Sequence, residues 1–368
     1  GDFGADVIKI EAPGQPDPAR DWGEATVDGG GLLWPIIARN KRCMTLNLRV
    51  ADGQALLKRM LNNADVLIEN FRPGTLEKWG LGPDTLMDQN PRLVIVRVSG
   101  YGQTGPESSK AGYASVGEAK AGLRALMGEP DRPPARAGVS LGDTMTGTFA
   151  ALGAMMALYH RERSGRGQVV DAAIYESVLS FMESLIPEFE IAGHVRTRTG
   201  SILPRVAPSG AYRCTDGDVV IGANQDSVFA RLAKMCGAGW ALDPNFATHD
   251  ARGDNQIELD KKIEAWTSQR SKADVLALAE EFGVPCGPVN SAADLLRDAQ
   301  IAARDAIVRV ADPKLGAVPM QAVAPKLSRT PGRIASTGPA FGAHTDKILS
   351  ELGLDQTEID GLRRAGVI

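Results

Sequence analysis

Cysteine and histidine are scarce, four of each in 368 residues. Cys43, Cys214, Cys236 and Cys286 form no CxxC pair, and His160, His194, His249 and His344 have no histidine partner at i+3 or i+4. That spacing excludes a zinc ribbon, a disulfide framework and a histidine-built metal site, and it fits a reducing cytoplasm. No metal and no tightly bound cofactor are expected. Long hydrophobic runs are missing as well. The best candidate, Phe149 to Tyr159, falls short of the ~18 residues of a membrane span, so it reads as a buried helix and no membrane partner is expected. Nor does charge of one sign prevail. With 41 basic and 45 acidic residues the net charge is −4, which argues against a nucleic-acid partner. Any anionic ligand must be met by local basic clusters. There is no GxxxxGK[ST] loop, which argues against a P-loop nucleotidase. The one GxSxG string near Asp143, "GVSLG" (138–142), follows the Pro-rich "DRPPARA" rather than a strand-like run, so it is no nucleophile elbow and a serine hydrolase is not favoured. The Gly-rich pieces "DGGGLL" (28–33) and "SGRGQ" (164–168) lack the strand–GxGxxG–helix context of a dinucleotide fingerprint.

What is present is ordinary for a globular enzyme: 43% hydrophobic and 23% charged residues. The length exceeds what one core usually serves, so two lobes are expected. Up to about residue 180, strand-like runs ("DVIKIE", "CMTLNLR", "DVLIENF", "RLVIVRVSGYG") alternate with helical patterns. One of these, "ADGQALLKRMLNNA" (51–64), places Ala55, Leu56, Met60 and Leu61 on one face. Such alternation predicts an α/β domain, a parallel sheet covered by helices in Rossmann-like fashion. From 208 to 225 the texture becomes a hairpin around Asp-Gly-Asp, followed by helical patterns at 226–236, 255–268 and 272–282 and the extended "VPCGPV". The expected division is a large domain of 1–195 with 323–368, a smaller α+β domain of 205–315, and linkers at 196–204 and 316–322. The opening "GDFGADVIKIEAP" has no initiator Met and no signal-peptide pattern. A strand this apolar wants neighbours on both sides, so the first strand and helix of its domain are expected to be missing.

Three constellations bear on chemistry. In "SLGDTMTGTFAALGAMMAL", Asp143 precedes a long apolar run. An aspartate there can cap a helix, or it can attack an activated acyl group with helix amides placed to stabilise the oxyanion. Small neighbours (Gly142, Thr144, Gly147) leave room for a large ligand. The second is "ENFRPGTLEKWGLG" (69–82), a turn at the carboxyl end of a strand, where parallel sheets bind ligands. It carries Arg72 and Lys78. The third, "ARNKRCMTLNL" (38–48), adds Arg39, Lys41 and Arg42. Each basic cluster alone suits solvent as well as phosphate; two clusters at the edges of one sheet suit an extended polyphosphate ligand.

Together, "GADVIKIEAP", "NKRCMTLNL", "ADVLIENFRPG", "GDTMTGTFAALGAMMALYHRERSGRGQVVDAAIYES", "GVPCGPV" and "HTDKILSELGL" resemble the family III CoA-transferases over nearly the whole chain. That group includes formyl-CoA transferase, carnitine CoA-transferase and α-methylacyl-CoA racemase. The resemblance implies two domains, C-terminal helices that return to the large one, and a homodimer of interlocked subunits. It implies a CoA thioester as substrate rather than as a resident cofactor, with a carboxylic acid as the second substrate. Asp143 matches the family nucleophile. Asn70, Phe71 and Arg72 match the CoA-binding loop, Lys78 a basic position beside it, and Tyr113 an acyl-site tyrosine. The family also begins with a strand and helix that this chain lacks.

Racemase members add a histidine before the aspartate and a glutamate in the small domain. Here no histidine precedes residue 160, and the block "VIGANQDSVF" offers Asn224 and Gln225. An amide is no general base, so transfer is favoured; a racemase and a non-catalytic CoA-binding protein remain the alternatives. The segment 196–212 brings Arg196, Arg198 and Arg205 among small residues, with no aromatic wall for a steroid-like acyl group. An arginine facing the pocket would select a second carboxylate. Arg198, Arg205 and Gln225 therefore join Tyr113 as substrate-site candidates, with a small dicarboxylate acceptor and a succinyl-CoA-like donor expected.

Overall fold

A computed structural model describes residues 1–27 and 29–368. Asp28, at the head of the Gly-rich stretch 28–33, lies outside the described residues. The chain divides into two compact units, one of residues 1–111, 147–173 and 294–368, the other of residues 112–146 and 174–293.

The first unit is α/β. Strand Val7–Glu11 pairs in parallel with Lys41–Thr45. Strands Val66–Glu69, Val94–Ser99 and Val169–Ala173 form a second parallel ladder in that order. The middle strand is the most buried of the three, with Val94, Ile95 and Val96 at 0% exposure, as a strand covered on both faces should be. One face packs on helix Ala51–Leu61 and on the C-terminal helices Thr345–Glu351 and Gln356–Arg364. Their Leu56, Leu57, Ile348, Leu349 and Ile359 share a core with Met44, Leu46 and Ile95. Ala55, expected on that inner face, is exposed, because the buried arc centres on Gly53, Leu56, Leu57 and Leu61. The other face receives Ala150, Ala154 and Ala157 of the long helix Leu141–Ser164. These small residues let the helix approach closely: a side chain at Gly153 would meet Val170 at 2.7 Å.

The second unit is α+β. Strands Ser209–Cys214 and Gly217–Gly222 form a hairpin, and Cys286–Pro288 adds a third antiparallel strand. Helices Asp226–Met235, Gln256–Thr267 and Lys272–Phe282 contribute to its core with Phe229, Leu232, Leu259, Ile263 and Val275. Arg252 is fully buried in this unit. It donates to the carbonyls of Ala207, Phe246 and Asn224, pairs with Asp226, and lies over the Phe229 ring at 4.5 Å. All three guanidinium nitrogens donate, as burial of that charge requires.

The compact units follow other boundaries than the division expected from sequence texture. Residues 112–146 and 174–195 pack with the second unit because helix Ala114–Lys120 closes on Ile174–Leu179. A side chain at Gly117 would meet Ile174 at 2.5 Å. Residues 316–322, expected as a linker, are largely strand: Gly316–Gln321 pairs antiparallel with Ile307–Asp312 within the first unit. The alternation of Val318 and Met320, buried, with exposed neighbours is the strand signal in that stretch.

Candidate active site

The candidate residues fall into two groups, one in each compact unit. In the second unit, Asp143 is the third residue of helix Leu141–Ser164, inside its first turn rather than at the cap. The turn is held from outside. Glu118, only 3% exposed, accepts the Gly142 N–H at 3.1 Å through one carboxylate oxygen and the Arg124 guanidinium at 2.8 Å through the other. Gly142 permits this approach, since a side chain there would sit 3.2–3.3 Å from Ala114 and Glu118. The Leu141 N–H donates to Val139 and the Thr144 N–H to Ser140. The Asp143 amide and carboxylate make no hydrogen bond among the described residues. Burial, and then the charge of Glu118, raise the Asp143 carboxyl above the usual carboxylate range. A carboxylate with no donor around it is poorly stabilised and correspondingly nucleophilic.

Tyr113 caps the helix that carries Glu118; its ring is 76% exposed and its carbonyl accepts the N–H groups of Val116 and Gly117. The next residue, Ala114, is the one that Gly142 packs against. Tyr113 and Asp143 thus flank one backbone contact.

The three arginines of the 196–212 loop are engaged differently. Arg196 is held by Glu188 and Glu183, and Arg205 pairs with Asp254. Both charges meet carboxylates in this chain, the Arg205–Asp254 pair at the surface with side chains 64% and 63% exposed. Arg198 donates only to the carbonyls of Glu129 and Pro130, which leaves its charge without a carboxylate among the described residues. Gln225 is exposed at the start of helix Asp226–Met235, its carbonyl serving as that helix's cap. Nothing places its amide beside Asp143.

In the first unit, the loop after strand Val66–Glu69 exposes Asn70, Phe71, Arg72 and Lys78. Gly74, at φ 86°, makes the left-handed turn that starts helix Thr75–Lys78. Phe71 stands edge-on to Trp79 with ring centroids 5.1 Å apart. Beneath the loop lies an ion cluster the sequence did not signal. Glu69, buried, accepts the Phe71 N–H at 2.8 Å and Arg97 at 2.7 Å, and Arg97 also pairs with Glu77. Arg72 and Lys78 make no side-chain ion pair or hydrogen bond among the described residues, so both cations are available to a ligand.

The basic cluster 39–42 is differently placed. Arg39 pairs with Asp2 and donates to the Gln321 carbonyl. Arg42 bridges Asp6 and Glu351. Lys41 donates to the Ile37 carbonyl, and burial holds its ammonium below the usual lysine range. Through these contacts all three tie strand Lys41–Thr45 to its surroundings. A cavity of about 960 Å³ in this unit is lined by Arg20, Lys41, Arg42, Lys314 and Arg333 and also by Asp2, Asp6, Asp21 and Asp312. Neither Asp143 nor the 70–72 loop lines it. Among the described residues no cluster of His, Cys, Asp or Glu is placed to hold a metal, and no helix is long and apolar enough to cross a membrane.

The sequence model of CoA-transferase family III matches residues 1–345. The chain belongs to that family. This CoA-transferase is 52% identical over 370 residues to succinyl-CoA–D-citramalate CoA-transferase of Chloroflexus aurantiacus, spanning 100% of the chain and 92% of that relative. The beta subunit of succinyl-CoA–L-malate CoA-transferase from the same organism is 41% identical over 379 residues, with 100% and 92% covered. Human succinyl-CoA:glutarate CoA-transferase is 30% identical over 370 residues, with 100% and 84% covered. The crystal structure of a CAIB/BAIF family protein from Brucella suis superposes with TM-score 0.85 at 34% identity, covering 95% of this chain and 93% of that one. The transferase therefore has the mixed α/β fold of that family, and an acyl-CoA thioester and a carboxylic acid are its substrate classes.

Proposed function

We propose that this transferase moves CoA from succinyl-CoA to a small dicarboxylic acid through covalent intermediates on Asp143. The observation that carries the reading is the Asp143 carboxylate itself, fixed in the first turn of its helix yet left without a partner. Its oxygen attacks the donor thioester carbonyl, forming a mixed anhydride and releasing CoA thiolate. The thiolate attacks the aspartyl carbonyl, giving an aspartyl-CoA thioester and free succinate. The acceptor carboxylate attacks that thioester, regenerating an anhydride and thiolate. Attack of the thiolate on the acceptor acyl carbonyl yields the new CoA ester and restores Asp143. No net proton or electron is exchanged. The open Asp143 amide offers a donor toward each tetrahedral oxyanion.

The dicarboxylate reading draws on the relatives, whose names carry citramalate, malate and glutarate as acceptors, and on Arg198, the loop arginine with unmatched charge. The 70–72 loop with Lys78 takes the CoA moiety, Phe71 lying against adenosine and Arg72 against phosphate. A homodimer is inferred from helix Leu141–Ser164. One face packs on the sheet, while Leu152, Met155, Met156 and Tyr159 remain 48–63% exposed on another. Both faces of a buried helix are apolar, and a second copy supplies the cover the first face already has.

Asp143→Asn tests the reaction. It should abolish transfer while CoA binding persists, and mass spectrometry of the native protein with succinyl-CoA should find the CoA adduct on Asp143. Turnover at the wild-type rate in a variant shown to be free of deamidation would end this reading.

A further inference from the structure

Glu118 is buried to 3% exposure, yet it carries a charge that no substrate requires and that raises the carboxyl of Asp143. Burying a carboxylate is costly unless its oxygens are satisfied. Here both are, but by groups of different kind. One oxygen takes the Gly142 N–H at 3.1 Å, an orphan amide of the helix that bears Asp143. The other takes Arg124 at 2.8 Å, from the helix that follows the Glu118 helix by a two-residue turn. Gly142 brings the start of the Asp143 helix to contact distance of the Glu118 helix, since a side chain there would sit 3.2–3.3 Å from Ala114 and Glu118 itself. The result is a strut from the interior of one helix to the amide directly before Asp143.

Resting on the assignment of Asp143 as nucleophile, we propose that Glu118 is the positioning residue of the transfer reaction. Its carboxylate holds the Gly142 amide, the N2 donor that an N-cap side chain ordinarily satisfies, and so fixes the first turn from which the Asp143 side chain projects. With that turn fixed, the Asp143 carboxylate stays free and turned to the acyl group. Arg124 holds the other oxygen of Glu118, so that both carboxylate oxygens are fixed and the one on Gly142 keeps its place. Of the other charged or titratable groups on the packed elements, Lys120 lies over the Tyr175 ring and Tyr175 donates to Glu176. The charge felt at Asp143 is that of Glu118.

Two variants separate positioning from mere support of the fold. Glu118→Ala frees the Gly142 amide and with it the first turn, so kcat should fall by roughly tenfold or more as the Asp143 carboxylate loses its fixed position, with the donor KM little changed. Glu118→Gln keeps an acceptor for Gly142 but removes the charge. It should lose less kcat than the alanine variant, and the acid limb of its kcat–pH profile should move to lower pH as the Asp143 carboxyl relaxes toward its ordinary value. Adduct mapping by mass spectrometry on the same samples keeps the two proposals apart. If the CoA adduct forms on Asp143 and both variants keep wild-type kcat and pH profile, the positioning role is wrong and the nucleophile stands. The positioning role also fails if Glu118→Gln is as impaired as Glu118→Ala with an unmoved acid limb, since that pattern marks structural support alone. An adduct on another residue overturns both proposals.

Discussion

Asp143 bears a cost that a structural residue at the same position would not. Its folded-state carboxyl lies above its unfolded value, first because of burial and then because of Glu118. Protonation therefore favours the folded chain. Below the ordinary aspartate value of 3.8 both states are protonated and no penalty applies, while above the raised folded value the native state carries it in full. Asp143→Asn, which mimics the protonated form, should raise the melting temperature at neutral pH. The gain should shrink as the pH of the melt is lowered through the raised carboxyl value and vanish at the acid end. A lower neutral-pH melting temperature for the variant would show that the carboxylate is stabilising, contrary to its environment. At this scale the sequence singles out Asp143, which stands beside small residues, while Tyr113 is a candidate through the family resemblance alone. It leaves Arg39, Lys41 and Arg42 open, because a run of cations has the same pattern whether a phosphate meets it or, as for Arg39 and Arg42 here, Asp2, Asp6 and Glu351 do.

Among elements, the proposed CoA-binding role of the loop Asn70–Gly74 rests on the ion cluster beneath it. Arg72 is exposed and unpaired, whereas Arg97 is buried between Glu69 and Glu77. Glu69 in turn fixes the Phe71 amide. Arg72→Ala should raise the donor KM roughly tenfold or more, if a charge-assisted contact of ~1.5–3 kcal/mol is lost, with the melting temperature unchanged. Arg97→Met should raise the same KM and also destabilise the fold, by about 3–5 kcal/mol, because it strands the Glu69 carboxylate in the interior. Steady-state kinetics and thermal melts of the pair check the division. Equal melting temperatures for Arg97→Met and wild type would mean that the cluster holds nothing. The turn itself is readable from Pro-Gly after a strand, but the cluster is not. Glu69, Glu77 and Arg97 are spread over two strands and a helix, and only the parallel ladder, with Glu69 opposite Arg97, brings them together.

For the whole molecule, the exposed apolar surface bears on the homodimer proposed above. Leu152, Met155, Met156 and Tyr159 form an exposed apolar face on a helix whose opposite face is already buried. Met155→Lys with Met156→Lys should move the protein from dimer to monomer in analytical ultracentrifugation, since two ammonium groups would have to be desolvated at the contact. A sedimentation coefficient unchanged from a dimeric wild type would place the interface elsewhere. The same face explains why the Phe149–Tyr159 run has the pattern of a fully buried helix: apolar residues on all sides are consistent with burial by the helix's own chain or by another.

Periodicity and small-residue blocks suffice for the parallel α/β sheet and the antiparallel hairpin of the second unit, and they single out Asp143 and the 70–72 loop as candidates, because each is a local pattern of few residues. Where the chain divides into units was decided by packing, through close glycine contacts such as Gly117 on Ile174. Packing also decided which charges are free. Glu118, Arg97 and Arg252 carry no local signature, since a buried ion is stable only when residues distant in sequence supply its partners, and those partners exist only in the folded chain. Arg72 and Arg198 stay available for the same reason in reverse: among the described residues, the fold gives neither of them an acidic partner.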